Sequence, residues 1–398
     1  MFEPSSLYSS QAEHLRLRLV CKKFNNIFKD NEEFSQGLTL YPDFPTRVLA
    51  NLVVWMRFHS SFVKTLAVYC GQPCLEVVLA CFLGRPVNLR HALLKDYCTS
   101  AVELLSQLPS VTTCELVCPR ANSTALSPLL LLPNLQKLVL IDGIFGIMHL
   151  SLHLTNLTLE HSNLYAGSCC TSLKNLQLVS SDLSGLEASG VAGFLELETL
   201  SCCASCIGAA MASEQFECSK AIFFHLPASL SSLASLQDLA VELEGPVRGV
   251  SLDLSVFSSL SSLRKLWVLS NLASLDVTAG LTALLSLEEV HLATTLDADM
   301  EADNADWHLR LNIDWTAMTS LQHLYLQSAR LACDGRVLGL TKLERLERLH
   351  LQGYQSFDSV SAKMFAALMY QLARNCPQVK LILDSVRAQD ITLDHLRC

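Results

Sequence analysis

NLQKLVLIDG (134–143), LTNLTLEHSNL (154–164) and SLKNLQLVSSDLSG (172–185) are the rows on which the fold turns. Leu138, Leu157 and Leu176 recur at intervals of 19 residues, each with a leucine three positions before it and another two positions after. The unit is Leu-x-x-Leu-x-Leu followed by a polar turn. In an extended strand, side chains alternate between two faces, so the last two leucines share one face and the residue between them takes the other.

This unit resembles the leucine-rich repeat, whose period is about 20–29 residues. The resemblance implies an α/β leucine-rich-repeat solenoid, with a curved parallel sheet inside and helices and loops outside. Outward from the clear rows, the same frame continues as LELETLSC (195–202), SLQDLAV (235–241), SLRKLWV (262–268), SLEEVHL (286–292), SLQHLYL (320–326) and RLERLHL (345–351). CSKAIFF (218–224) is placed as a poor repeat bridging the gap between Leu200 and Leu239. On the N-terminal side, LTL (38–40), FVKTLAV (62–68), PVNLRHA (86–92) and SVTTCEL (110–116) are degenerate members. They are separated by RVLANLVVWMRF (47–58) and PCLEVVLACFL (73–83), which have helical period. SAKMFAALMYQLARNCPQ (361–378) sets Met364, Phe365, Leu368 and Leu372 on one helical face; with the strand VKLIL (379–383) it forms a cap within 361–398.

Residues 1–37 differ in composition and pattern from the repeats of 38–398. In QAEHLRLRLVCKKFNNIF (11–28), Leu15, Leu19, Phe24, Ile27 and Phe28 follow a helical pattern. Leu15 through Arg18-Leu19-Val20-Cys21-Lys22-Lys23-Phe24 resembles the closing helix of the F-box. The resemblance implies that Leu15, Leu19, Val20, Cys21 and Phe24 contact a Skp-type adaptor of a cullin–RING ubiquitin ligase. F-box domains open with a Leu-Pro segment and a first helix, whereas only Met1 to Ser10 precede the matching helix here. The segment is therefore expected to be either an F-box-like docking helix or an amphipathic cap sealing the end repeat, which every array needs.

The position between the last two leucines reads Val139, Thr158, Gln177, Ser201, Ile222, Ala240, Trp267, His291, Tyr325 and His350. Its last four members are aromatic or imidazole, with Lys265, Glu289, His323 and Arg348 as strand neighbours. Trp, Tyr and Arg bury large areas at modest rotamer cost and carry much interface energy. These eight residues form the expected partner surface on the concave face.

Composition narrows the alternatives. Half of the 398 residues are apolar, 17% are charged, and the net charge of −9 comes without a basic run. That argues against a nucleic-acid surface. Met1 to Arg18 lacks the apolar core of a secretory signal, and the most apolar run, Leu138 to Leu154, is accounted for by two repeat strands rather than a membrane span. The sixteen cysteines lack a framework spacing and are expected to be reduced. The expected location is intracellular, cytoplasmic or nuclear, and a surface immune receptor built on the same repeats is disfavoured.

Chemistry-bearing motifs are few. LDADMEADNAD (296–306) carries five carboxylates, but Ala302 and His308 occupy the positions where a calcium loop needs Gly and Glu, so it is expected to be a solvated loop. Cys203-x-x-Cys206, with Cys202 and Cys218 nearby, lacks a second such pair for a zinc site. With no phosphate loop, nucleophile elbow or His-Glu-x-x-His motif, the chain is expected to be non-catalytic, with neither cofactor nor metal. The functional expectation is a substrate receptor of a Skp–cullin–F-box ligase, its protein target on the concave face, or a stand-alone interaction scaffold whose F-box-like helix only caps the array.

Overall fold

A computed structural model shows a leucine-rich-repeat solenoid, and it describes residues 37–40, 52–54, 56, 60–69, 72–84, 87–95, 99–117, 123–130, 132–142, 144–145, 153–161, 163–164, 172–179, 194, 196–205, 222–225, 232–244, 250–253, 258–270, 274–277, 281–294, 308–311, 313–328, 331–333, 335–352 and 359–384. The chain divides into two compact units, Met1–Asn163 and Leu164–Cys398.

In the first unit, β1 (Gly37–Leu40), β2 (Thr65–Val68), β3 (His91–Leu94), β4 (Thr113–Val117) and β5 (Lys137–Ile141) lie side by side in chain order. After the two-residue β6 (Ile144–Phe145), β7 (Asn156–Glu160) pairs with β5, and the two-residue β8 (Asn163–Leu164) follows. The pairing of these strands is parallel and matches repeat to repeat: Cys114 lies opposite Leu138, which lies opposite Leu157. Leu66, Ala92, Cys114, Leu138 and Leu157 are all buried, so the degenerate members fill the leucine positions with smaller groups. Parallel strands need a long crossover. Here it is supplied by α1 (Gln72–Ala80), α2 (Thr99–Ser106) and α3 (Ser123–Leu130). Gly84, at φ +70°, turns the chain beyond α1 in the left-handed region that glycine enters without a steric cost.

The 19-residue spacing is visible in the backbone. Asp142 and His161 are equivalent positions in successive repeats, and both have positive φ, at 60° and 47°. Asp142 N–H donates to Glu160 C=O at 2.9 Å, and His161 Nδ1 lies 3.3 Å from Asp142 Oδ1.

In the second unit, β9 (Asn175–Val179), β10 (Thr199–Ser205), β12 (Asp238–Glu244), β14 (Lys265–Ser270), β16 (Glu289–Thr294), β18 (His323–Gln327), β20 (Arg348–Gln352) and β21 (Lys380–Asp384) form one parallel sheet. Leu200, Leu239, Leu266, Val290, Leu324 and Leu349 sit opposite one another along it, all buried. A second parallel sheet contains β11 (Ile222–His225), β13 (Val250–Asp253), β15 (Ser274–Val277), β17 (His308–Leu311) and β19 (Leu331–Cys333). This corrects the placement of CSKAIFF. Ile222 pairs with Val250 in the second sheet, while β10 pairs directly with β12, so Ile222 does not belong to the column of Ser201 and Ala240. The second strands are three or four residues long, too short for a period to announce them.

Between strands the C-terminal repeats use 3₁₀ turns at Leu281–Ala283, Trp315–Ala317 and Gly335–Lys342. Such turns suit short crossovers. Asp314 caps the second of them: its Oδ1 accepts from Thr316 N–H at 3.2 Å and from Thr316 Oγ1 at 2.6 Å. The helix α4 (Ser359–Asn375) buries Leu368 and Leu372 and half-buries Met364, and β21 pairs with β20. The end of α4 is tied down by Cys376 Sγ, which donates to Thr341 C=O at 3.1 Å.

One backbone motif repeats throughout both units. The carbonyl just before a strand accepts two successive N–H groups of the next repeat, as Gln237 C=O does from Arg264 and Lys265 at 2.8 and 2.9 Å. This fixes where each strand starts and hence the register of everything above it. Leu266 is fully buried and Lys265 exposed. Leu266→Ala is expected to cost about 2–5 kcal/mol of unfolding free energy. Lys265→Ala is expected to stay within about 0.5 kcal/mol. Urea titration followed by circular dichroism would compare the two; equal effects would contradict the assigned faces.

Candidate functional site

The eight residues singled out in the sequence stand on four adjacent strands of the second unit: Lys265 and Trp267 on β14, Glu289 and His291 on β16, His323 and Tyr325 on β18, and Arg348 and His350 on β20. In-register pairing puts them in two rows, one running from Lys265 through Glu289 and His323 to Arg348, the other from Trp267 through His291 and Tyr325 to His350. Both rows lie on the face opposite the buried leucines. Adjacent strands are about 4.8 Å apart, close to the distance at which planar rings stack.

The rings use that spacing. Trp267 and His291 stack with centroids 3.8 Å apart and planes inclined by 4°. His291 and Tyr325 stack at 4.8 Å and 17°, and Tyr325 meets the edge of His350 at 4.5 Å and 81°. Each such pair contributes about 0.5–1.5 kcal/mol beyond its buried area. Trp267 remains 46% exposed at one end of the ladder. The Tyr325 hydroxyl donates to Gln352 Oε1, with Gln327 Oε1 at 3.4 Å as a second acceptor. Neither glutamine stood out in the sequence, although both sit two positions beyond the ladder on their own strands. Lys380 and Ile382 extend the two rows onto β21 opposite Arg348 and His350, a step the sequence frame did not reach.

The charged row is graded. Glu289 lies between Lys265, whose Nζ is 4.0 Å from Glu289 Oε2, and His291, whose Nε2 is 2.8 Å from Glu289 Oε1. His323 Nε2 is 3.8 Å from Glu347 Oε2. One residue before the strands, Arg264 Nη1 pairs with Glu288 Oε1 at 3.0 Å. The exposed pairs Arg264–Glu288 and His323–Glu347 add little stability and mainly fix side-chain positions. Arg348 and Lys380 face each other across β20 and β21 and line an open cleft of about 780 Å³ with His323, Arg345 and Glu347.

The other sequence candidates fall elsewhere. Val139 and Thr158 are register partners in the first unit, and Gln177, Ser201 and Ala240 lead into Trp267 in the second. Leu15, Leu19, Val20, Cys21 and Phe24 lie outside the described residues, as do the acidic stretch 296–306 and the thiols Cys206 and Cys218. Among the described residues, no three His, Cys, Asp or Glu side chains gather in a way that could hold a metal ion, and no helix is long and apolar enough to cross a membrane.

No family model matches the chain, and no curated protein matches it in sequence. Among solved structures, it is similar to TLR13 in a complex with ssRNA13, at 15% identity over 88% of this chain and 54% of that one, with a TM-score of 0.53. It spans about half the length of that TLR13 chain. It is also similar to the internalin inlF of Listeria monocytogenes, at 14% identity over 89% and 94% of the two chains with a TM-score of 0.48. The leucine-rich repeat domain of APL1B matches at 13% identity over 91% and 92%, with a TM-score of 0.43. Identities this low speak to fold alone, and the fold is the leucine-rich-repeat solenoid that the strand register shows.

The titration of His291 is displaced. Burial disfavours the imidazolium and holds its pKa below the ordinary 6.5, with the nearby His323 and His350 pushing the same way, while the Glu289 carboxylate opposes the shift. On acidification the unfolded chain takes up this proton before the folded chain does, so His291 contributes stability that is fully present above about pH 6.5 and is lost as pH falls from there through the depressed folded value. Histidine NMR titration is expected to place His291 below 6.5. In Glu289→Gln it should move lower still, since the attraction favouring the cation is gone; an upward move would mean that Glu289 does not stabilise the charged ring.

Proposed function

We infer that the protein is a non-catalytic interaction scaffold that holds a protein partner on the exposed ladder face of its second unit. The observation that carries this reading is the ladder itself: three ring–ring contacts in succession, ending in a half-exposed tryptophan. Rings held by their neighbours lose little freedom on binding, so the apolar area they offer is not offset by ordering entropy. The charged row alongside supplies orientation and selectivity of register. The likeness in fold to TLR13 is compatible with this reading without specifying the partner.

The test is partner capture by the full chain, compared with Trp267→Ala/Tyr325→Ala checked for fold by circular dichroism. Truncating two anchors is expected to weaken binding by about 2–4 kcal/mol, a loss of roughly 30-fold or more. A partner held equally well by the folded double variant would place the interface elsewhere.

The finer reading is a substrate receptor of a Skp–cullin–F-box ligase, in which residues 1–37 dock the adaptor and the repeats hold the protein to be ubiquitinated. What supports it is the match of Leu15 to Phe24 to the closing F-box helix. Its role would be proximity, holding a target beside the ligase's catalytic subunit. Pull-down with a purified Skp-type adaptor, beside Leu19→Asp/Phe24→Asp, is expected to show binding by the parent only. A folded parent that ignores the adaptor would leave residues 1–37 with the capping role.

A further inference from the structure

The ring ladder stops abruptly. Across β12, the residue in register with Trp267 is Ala240, and beyond it stands Ser201 on β10. One face of the indole lies on His291; among the described residues no second ring covers the other. The indole therefore stands at a step, with a floor of two small side chains before it.

That step is flanked by charge of one sign. Asp238 and Glu242 lie two residues before and after Ala240 on β12, so all three side chains project from the same face of the sheet. The Cα atoms of Asp238 and Glu242 are each about 6.7 Å along the strand from that of Ala240, so either side chain can reach a group seated over it. Both are partly exposed, and neither has an ion pair among the described residues. Lys265 lies opposite Asp238 in register, and its ammonium is 4.0 Å from Glu289 Oε2. Opposite Glu242 stands Leu269 on one side and Cys203 on the other.

An open indole face attracts a cation through its ring quadrupole, and most strongly a planar one that can lie flat on it. Carboxylates on both flanks accept N–H groups in charge-assisted hydrogen bonds. A neutral aromatic side chain would use the indole but leave both carboxylates without a role. A nucleobase would use the indole but bring its phosphates against two carboxylates on a chain of net charge −9. Resting on the interaction-scaffold reading above, we propose that the step formed by Ala240 and Ser201 before Trp267 receives an arginine side chain of the partner, its guanidinium flat on the indole and its N–H groups shared between Asp238 and Glu242. The partner segment is then basic at this point and continues along the ladder towards His350.

The test uses the full chain with its tryptophans labelled with ¹⁵N, the Trp267 indole signal being assigned by its loss in Trp267→Phe. The probe is acetyl-Gly-Arg-Gly-Arg-Gly-amide, beside the same peptide with citrulline, which keeps the planar shape without the charge. The arginine peptide is expected to shift the Trp267 signal saturably. The citrulline peptide, and the arginine peptide on Asp238→Asn/Glu242→Gln, should bind about ten-fold more weakly. No saturable shift, an equal response to citrulline, or indifference to the double variant in a folded chain would overturn the proposal.

The two readings fail separately. A captured partner lost on Trp267→Ala/Tyr325→Ala, with no response to the arginine probe, sinks the arginine step and leaves the ladder face. A saturable arginine shift, with a captured partner indifferent to that variant, sinks the ladder face as the partner site and leaves the step as a cation-binding feature.

Discussion

In-register parallel pairing is the constraint from which the second unit's surface follows. When equivalent leucines of successive repeats must all point into one core, each strand is locked to the next at zero offset, and every residue between them is locked as well. Leu266 opposite Val290 therefore forces Trp267 opposite His291, and Val290 opposite Leu324 forces His291 opposite Tyr325. The paired N–H donors that converge on one carbonyl at each strand start hold that offset from the backbone side.

A surface built in this way is organised before anything binds. The strand spacing sets the distance between rings, and the rings set each other's tilt, so the ladder presents a fixed apolar ridge rather than a set of independent rotamers. Polar groups are recruited to hold it: Glu289 braces His291, and Gln352 braces the Tyr325 hydroxyl. Burial within the ridge is also what keeps His291 from charging easily, which ties the protonation of the ladder to its packing.

The buried column was legible because a leucine-like residue recurs at the same frame in both units, even where Ala92 or Cys114 stands in for leucine. The second sheet was not legible. Its strands are three or four residues long, and Val250–Asp253 and Ser274–Val277 carry two apolar groups each, so their pairing is a consequence of the turns that bring them together. Ile222 shows the resulting error: by pattern it suits the ladder, yet the direct pairing of β10 with β12 leaves no place for it there.

By itself the sequence determined the repeat, the face on which the leucines lie, and the membership of the row from Trp267 to His350, because strand alternation is a local property of the chain. Contacts between rows are properties of neighbouring strands, so only the tertiary structure decided that Trp267 lies flat on His291, that Tyr325 meets His350 edge-on, and that the ladder ends at Ala240 with carboxylates on either side. Residues 27 apart in the chain, such as Ala240 and Trp267, become neighbours solely through the register of the sheet. A sequence states which side chains share a face; the distance and angle at which they meet arise from the packing beneath them.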